Sequence, residues 1–303
     1  MSGPLVLVGV PTALGGHLGG MEKTPAGLRR LGIVERLRSR PGLSETRIVD
    51  AGDVAIEPGF VEDRDPRAKN RARIAAFLPV ERDLVAAALG REGPDARPLI
   101  VGGDCTAQAG AMAALQATGR RRLAIAWFDA HGDYNTPDTT PSGNVWGMPF
   151  AMICGLGDPD LVGACDGPTA DPRHAALIGA QVLDETEARL LATTGVAHFG
   201  SGMVATAAGI AALGAWGAAV AREVDALYIA VDLDVLDAAG NWAVQMPERD
   251  GLSLETAIAA VRTLASAAPI AGFGATAVNL ERGGDAERTA DAVAALAEAA
   301  LAV

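Results

Sequence analysis

Short apolar runs alternate with longer, amphipathic, alanine-rich stretches along the whole chain. Apolar runs of this length are typical of strands that are buried on both faces of a sheet. They predict strands at residues 4–10, 46–50, 98–103, 123–129, 175–179, 196–199, 226–232 and 270–278. The amphipathic stretches predict helices at residues 80–89, 107–118, 185–193, 205–222, 253–267 and 287–302, with Ser253 as an N-cap.

This alternation of strands and helices indicates an α/β fold. A mainly parallel sheet covered by helices on both faces makes a three-layer α/β/α architecture. No internal repeat or low-complexity linker divides the chain, and the charged, proline-containing segment 57–69 predicts a surface loop. We therefore expect a single domain over residues 1–303.

Composition narrows the class of partner and the compartment. The chain has 37 acidic and 25 basic side chains and a formal charge of −12, which argues against nucleic acid and anionic membranes as partners. Three scattered cysteines are too few for a disulfide framework. The apolar start lacks the basic leader of a signal peptide, and no stretch approaches the roughly 20 apolar residues of a membrane span. A cytoplasmic protein with reduced thiols is expected.

Carboxylates follow two of the predicted strands. Asp129, His131 and Asp133 follow one strand, and Asp232 and Asp234 lie at the end of another. Residues two apart on an extended chain share a face, so each set is expected to converge at the carboxyl edge of the sheet. Crowded, buried carboxylates repel each other unless divalent cations such as Mn²⁺ neutralise them. The alternative is that these residues are separate helix caps and solvated turn residues.

A third motif, Gly102-Gly103-Asp104-Cys105-Thr106, also ends a predicted strand and opens a helix. The glycines allow a sharp turn, after which Cys105 would project toward the same edge. As a thiolate, Cys105 would be a metal ligand. As a thiol, it would be buried and inert, and the sequence leaves both interpretations open.

Together these motifs resemble those of the arginase–agmatinase family, the ureohydrolases, over nearly the whole chain. The matching segments are Gly19-Gly20-Met21-Glu22 with Pro25 and Leu28-Arg29, Gly102-Gly103-Asp104, Asp129-Ala130-His131-Gly132-Asp133, Asp232-Leu233-Asp234, and Pro247 with Gly251-Leu252-Ser253. The chain therefore resembles a divergent member of the ureohydrolase family.

The resemblance implies a parallel-sheet α/β/α fold that holds two Mn²⁺ ions and forms a trimer or hexamer. Asp129 and Asp232 would bridge the ions, and the metal ligands would be Cys105, Asp129, His131, Asp133, Asp232 and Asp234. A hydroxide activated by the metals would attack an amidine or guanidine carbon. Asp234 and His131 would be the catalytic residues, with Asp234 handling the proton of the departing amine.

A loop after Asp133 resembles the arginase segment that binds a substrate α-carboxylate. Its candidate substrate-binding residues are Asn135, Ser142 and Asn144, whose amides and hydroxyl can bind a carboxylate without a buried cation. This favours an amino-acid-like substrate over a simple guanidino-amine. The alternative is a turn with local hydrogen bonds only.

Three positions depart from the family pattern. Cys105 replaces a metal-binding histidine, so Zn²⁺, Fe²⁺ or Co²⁺ could replace Mn²⁺. Trp146 replaces a histidine thought to shuttle protons, so it either favours a better leaving group, such as that of an N-hydroxyguanidine, or narrows the pocket. Ala277 replaces a glutamate that holds the guanidinium, and Glu281 is the candidate substitute for binding it.

The sequence thus supports two hypotheses. The first is a metal-dependent hydrolase that cleaves a linear C–N bond of an amino-acid-derived guanidine, hydroxyguanidine or amidine. Its partner would be a small guanidino or amidino substrate, and the protein would be a homo-oligomer. The alternative is a catalytically silent arginase-family homologue that acts as a binding or scaffold subunit.

Overall fold

The computed structural model describes residues 3–56, 67–120 and 122–302, and within these ranges eight strands form a single sheet. In chain order the strands are β1 (Leu5–Val10), β2 (Ile48–Asp53), β3 (Arg97–Gly102), β4 (Leu123–Phe128), β5 (Ala175–Gly179), β6 (Ala197–Gly200), β7 (Ala226–Asp232) and β8 (Ile270–Thr276). Their order across the sheet is β2-β1-β3-β8-β7-β4-β5-β6, and all neighbours are parallel. Each predicted strand is therefore present.

Alternate residues of the central strands enter two different hydrophobic cores. In β1, Val6 and Val8 pack into one core, whereas Leu5 and Leu7 pack into the other. This alternation follows from the two-residue period of a strand, and both faces are apolar because both are covered. The apolar runs in the sequence are the consequence of this double burial.

Helices cover both faces of the sheet. In the described ranges they are α1 (Thr24–Arg30), α2 (Ile33–Ser39), α3 (Arg71–Glu92), α4 (Ala107–Ala117), α5 (Pro149–Ile153), α6 (Pro159–Ala164), α7 (Glu185–Thr194), α8 (Ser201–Val204), α9 (Ala207–Val220), α10 (Leu254–Ala267) and α11 (Ala286–Leu301). Buried side chains of α3 to α7 belong to one core, and those of α1, α2 and α8 to α11 belong to the other. The predicted three-layer α/β/α fold is confirmed.

Several boundaries differ from the sequence-based expectation. Helix α3 is longer than residues 80–89 and continues through Pro79. The helix expected at 205–222 begins at Ala207, after Thr206, whose backbone is extended and whose Oγ1 accepts a hydrogen bond from the backbone N of Gly209 at 3.0 Å. Strand β8 ends at Thr276 because the next residue, Ala277, has a left-handed backbone with a φ of 58°.

Part of the expected organisation stays a prediction. Residues 57–66, most of the segment predicted as a surface loop, lie outside the described residues. The single-domain assignment is likewise still a prediction. Across the described residues, no helix is both long enough and apolar enough to cross a membrane.

Candidate metal centre and substrate cavity

A cavity of about 390 Å³ lies where the chain leaves four neighbouring strands, β3, β8, β7 and β4. Residues that follow each strand line it: Cys105 after β3, Ala277 after β8, Asp234 after β7 and His131 after β4. Parallel strands present their carboxyl ends at one edge, and ligands of α/β sheets bind in crevices outside that edge. The sheet order therefore brings together residues that are far apart in the sequence.

The register between β4 and β7 places the two acidic motifs side by side. Phe128 pairs with Val231, so Asp129 and Asp232 extend the two strands next to each other. Each of these aspartates also fixes its own turn. Asp129 Oδ1 accepts from the backbone N of His131 at 2.7 Å, and Asp232 Oδ1 accepts from the backbone N two residues on at 2.9 Å. The sequence left open the alternative that these aspartates are turn residues. Both do stabilise a turn, but each uses one of its two carboxylate oxygens to do so.

The candidate ligands form two groups of donor atoms. The Cys105, Asp129 and Asp232 donors lie within 4.8 Å of one another, as do those of Asp129, His131 and Asp234. Asp129 belongs to both groups, as a residue that bridges two ions would. The Cys105 Sγ lies 2.8 Å from Asp232 Oδ2, and His131 Nδ1 lies 3.2 Å from Asp234 Oδ2.

Asp133 belongs to neither group, but it is buried and lines the same cavity. Its backbone has a φ of 48°, which is unusual for a residue other than glycine. Its Oδ2 has no hydrogen-bond partner in the described part of the chain, and the Nε2 of His131 has Glu248 Oε1 3.6 Å away, beyond hydrogen-bond distance. Buried polar atoms without partners are rare in proteins and indicate that a ligand or ion satisfies them.

Burial and mutual repulsion perturb the protonation of this cluster. Burial raises the pKa of Asp232, and the charges of Asp234 and Asp129 raise it further. Burial also raises the pKa of the Cys105 thiol, again reinforced by the neighbouring carboxylates. For His131 burial opposes the charged form, but the adjacent carboxylates outweigh it and raise its pKa. Without a cation beside them, these acidic groups therefore resist full ionisation in the buried site.

These residues fit a pair of divalent cations. No lysine or arginine is among the described residues that line the cavity, so His131, whose pKa is raised, is the imidazole of the cluster that can compensate the several carboxylates. The donors are carboxylates, one imidazole and one thiol, a set that suits borderline divalent metals. The predicted metal ligands are brought to one place, where doubly charged ions would neutralise them.

Asp104 holds the cysteine-bearing turn against the first loop of the chain. Its Oδ2 accepts from the backbone N of Gly15 at 2.8 Å, and its Oδ1 accepts from the backbone N of Thr106 at 3.0 Å. Gly103 is required here because a Cβ at this position would lie 1.8 Å from the carbonyl oxygen of Thr12. The Gly-Gly-Asp motif thus positions Cys105 rather than supplying a ligand itself.

Four of the five predicted substrate-binding residues line the cavity: Asn135, Ser142, Asn144 and Trp146. Asn135 Nδ2 donates to Asp184 Oδ2 at 2.9 Å, and Asn144 Oδ1 accepts from Lys69 Nζ at 3.1 Å.

The structure does not bring the fifth, Glu281, to the cavity. Its exposed carboxylate pairs with Lys23 Nζ at 2.7 Å, and Glu281 is absent from the cavity lining. The left-handed backbone of Ala277 ends β8 and redirects the chain, so the register that would carry Glu281 inward is lost. Glu281 therefore does not replace the carboxylate missing at Ala277.

Other polar residues that line the cavity include His17, Glu187 and Gln245. His17, which the sequence marked only by its glycine-rich loop, has Nδ1 3.1 Å from Asn144 Nδ2. Glu187 accepts from the backbone N of Tyr134 at 2.8 Å, and burial raises its pKa to about 7. Gln245 is 2% exposed. The sequence gives no distinctive signal at these positions, because His17 lies in a glycine-rich loop, Glu187 in a charged segment and Gln245 after a short apolar run.

Comparison with known proteins agrees with this geometry. The profile of the Arginase family matches residues 4–302. The arginase of Bacillus caldovelox is 32% identical over 267 residues, which cover 87% of this chain and 87% of that protein. The chain belongs to the arginase family. The family resemblance of the sequence motifs is thereby confirmed.

Solved structures of arginase-family proteins superpose closely on this chain. The native structure of the Bacillus caldovelox arginase at pH 5.6 has a TM-score of 0.88 and 30% identity, and covers 99% of this chain and 98% of its own. An arginase from Bacillus cereus has a TM-score of 0.86 and 28% identity, with 98% of both chains covered. Members of the arginase family are hydrolases of guanidino compounds and typically hold two manganese ions. Membership supports a metal-dependent activity of the amidinohydrolase type.

Proposed function

We propose that this protein is a metal-dependent hydrolase that cleaves a linear C–N bond of an amino-acid-derived guanidine, hydroxyguanidine or amidine. The observation that carries the proposal is the sharing of Asp129 between two groups of donor atoms that border one cavity. This arrangement is suited to two ions close together, between which a small molecule can react.

One ion would be held by Cys105 and Asp133 and the other by His131 and Asp234, with Asp129 and Asp232 contributing to both. The pair would be Mn²⁺ or, because Cys105 adds a soft ligand, Zn²⁺, Fe²⁺ or Co²⁺. When bound, such ions make water more acidic and supply a nucleophile near neutral pH.

Asp234 is the proposed proton carrier. The backbone N of Ala130 donates to Asp234 Oδ1 at 3.3 Å and fixes the carboxylate, so that Oδ2 lies 3.2 Å from His131 Nδ1. A buried carboxyl group in this position would take up a proton at Oδ2 and donate it to the amine that leaves. His131 orients Asp234 through this contact.

The opposite side of the cavity would bind the amino-acid end of the substrate. The amides of Asn135 and Asn144 and the hydroxyl of Ser142 are the proposed partners of an α-carboxylate. Asp184, which also lines the cavity, is the proposed partner of an α-amino group. Trp146 would limit the volume of the cavity beside them.

Turnover assays with metal-loaded protein test the proposal. The substrates are arginine, N-hydroxyarginine, agmatine, guanidinobutyrate and formiminoglutamate, and the control is protein stripped by a chelator. We expect turnover of at least one compound that carries an α-amino acid, and loss of it in Asp129→Asn. Absence of turnover of all five at high enzyme concentration would contradict the proposal.

One observation favours the alternative of a catalytically silent binding or scaffold subunit. Ala277 lines the cavity without a carboxylate, and Glu281 does not replace it. Metal analysis separates the two proposals, because a silent subunit has no need of two ions. Less than one metal per chain after careful loading, together with no turnover, would favour the silent subunit.

A further inference from the structure

The residue beside the missing carboxylate is Gln245. Its backbone N donates to the carbonyl oxygen of Ala277 at 2.8 Å, so the two residues are neighbours in the cavity wall. Gln245 is 2% exposed and Ala277 is 4% exposed. Ala277 leaves room where the family pattern has a glutamate, and Gln245 brings an amide to that wall.

Hydrogen bonds fix the orientation of the neighbouring Asn279 amide. Its Nδ2 donates to the carbonyl oxygen of Gly19 at 3.2 Å, and its Oδ1 accepts from the backbone N of Glu281 at 3.0 Å. A backbone carbonyl can only accept and a backbone N–H can only donate. The nitrogen and oxygen of Asn279 are therefore assigned without ambiguity.

Asn279 in turn fixes the amide of Gln245. Asn279 Nδ2 donates to Gln245 Oε1 at 2.6 Å. The reversed orientation of Gln245 would bring two NH₂ groups together at that distance, so it is excluded. Gln245 Nε2 is left as the polar atom of this side chain without a partner among the described residues.

We propose that Gln245 is a specificity-determining residue that offers an N–H donor to the reactive head group of the substrate. A guanidinium has N–H donors and no acceptor, so it cannot accept from Gln245 Nε2. A head group with an oxygen atom, as in an N-hydroxyguanidine, can accept this hydrogen bond. The inference rests on the proposed function and narrows its substrate to head groups that carry an oxygen acceptor.

The test compares N-hydroxyarginine with arginine in metal-loaded wild-type protein and in Gln245→Glu. A glutamate at this position can still accept from Asn279 through one oxygen while the other offers a carboxylate to a guanidinium. We expect the wild type to favour N-hydroxyarginine in kcat/KM, and Gln245→Glu to shift the ratio toward arginine by about tenfold or more. Dissociation constants of both compounds, measured by calorimetry, should shift in the same direction.

Two further variants complete the design. Gln245→Met removes the donor without adding charge, and should lower kcat/KM for N-hydroxyarginine by about tenfold, a larger loss than it causes for arginine. Gln116→Glu, at the end of α4 and outside the cavity lining, introduces the same chemical change and should leave the ratio as in the wild type. Thermal melting verifies that each variant is folded.

The outcomes separate the inference from the proposed function. If both compounds are hydrolysed and Gln245→Glu leaves their ratio unchanged, the role of Gln245 is overturned and the proposed function stands. If none of the five compounds is hydrolysed but binding shifts as expected in Gln245→Glu, the role of Gln245 stands and the proposed function is contradicted. If none of the five compounds is hydrolysed and neither N-hydroxyarginine nor arginine binds, both are overturned.

Discussion

Cys105 places a thiol in a cluster otherwise made of carboxylates and one imidazole. Its sulfur lies 2.8 Å from Asp232 Oδ2 and in the same donor group as Asp129. Burial and these charges oppose its ionisation, so the thiolate would form only when a cation takes the place of the proton. Whether it acts as a ligand is thus a question of which ion is present.

Cobalt substitution tests this ligand role directly. We expect Co²⁺-loaded protein to show a sulfur-to-metal charge-transfer band in the near ultraviolet, because a thiolate bound to cobalt gives such a band. Cys105→Ser should abolish the band, whereas Cys154→Ser, which alters a buried thiol outside the donor groups, should retain it. A band of equal intensity in Cys105→Ser would show that the sulfur is not a ligand.

Glu187 makes the stability of the protein depend on pH. Burial raises its pKa from 4.5 to about 7, so the folded state holds the proton more tightly than the unfolded chain. Its contribution to stability is therefore full below pH 4.5 and is lost as pH rises through 7. Between pH 5 and pH 8 this group should lower the free energy of unfolding by on the order of 2–3 kcal/mol.

Glu187→Gln should remove that pH dependence. Urea unfolding at pH 5 and pH 8, with chelator present throughout, measures the difference. Glu185→Gln alters an exposed carboxylate in the same helix and should leave the dependence as in the wild type. The same decline in Glu187→Gln as in the wild type would contradict the assignment to Glu187.

At the scale of elements, the start of helix α10 depends on one hydroxyl. Ser253 Oγ accepts from the backbone N of Thr256 at 3.1 Å, as the sequence predicts for an N-cap. Ser253→Ala should lower the free energy of unfolding by about 1 kcal/mol. Urea denaturation measures the loss, and turnover should be unchanged because Ser253 does not line the cavity.

Two substitutions control for this effect. Ser253→Asp keeps an acceptor at the cap and should retain most of the stability. Ser266→Ala removes a hydroxyl from an exposed position late in the same helix, where alanine is a good helix former. If Ser266→Ala cost as much as Ser253→Ala, the capping interpretation would be wrong.

Elements are predictable from the sequence where burial alone decides them. Each of the eight strands either is buried on both faces or pairs with a strand that is buried on both faces. Apolar runs in the sequence indicate that burial. The predicted ends of helices and strands are wrong where a single residue overrides the hydrophobic pattern. Thr206 caps a new helix inside an apolar, alanine-rich stretch, and Ala277 ends β8 by its left-handed backbone. Neither event changes the hydrophobic periodicity that the prediction uses.

The same distinction holds for the site at the scale of the whole molecule. Asp129, His131 and Asp232 are predictable because they lie at strand ends, and the strand ends of a parallel sheet meet at one edge. His17 and Gln245 reach the cavity through loops, whose paths no periodic pattern encodes. Glu281 is an error of the opposite kind. Its position close to Ala277 in the sequence predicts that it binds substrate, but the fold places its side chain on the surface beside Lys23.

The buried carboxylates couple the stability of the whole molecule to its ions. Without cations, Asp232 repels Asp234 and Asp129 inside the protein, and this repulsion lowers the stability of the folded protein. Bound ions reverse this penalty and stabilise the folded state by mass action, by about 2.7 kcal/mol at a hundredfold excess over Kd. For a chain of this size, that corresponds to a rise in Tm of roughly 4 °C.

Asp232→Asn should therefore have opposite effects in the two states. With chelator, the variant should melt above the wild type, because a carboxyl group that burial and its neighbours penalise is removed while its volume is kept. With Mn²⁺, it should melt below the wild type, because the ions lose a ligand. Asp83→Asn, on an exposed carboxylate of α3, should leave the metal-dependent rise intact. Equal rises in Tm for Asp232→Asn and the wild type would mean that the stabilising ions bind elsewhere, and the metal centre described above would have to be abandoned.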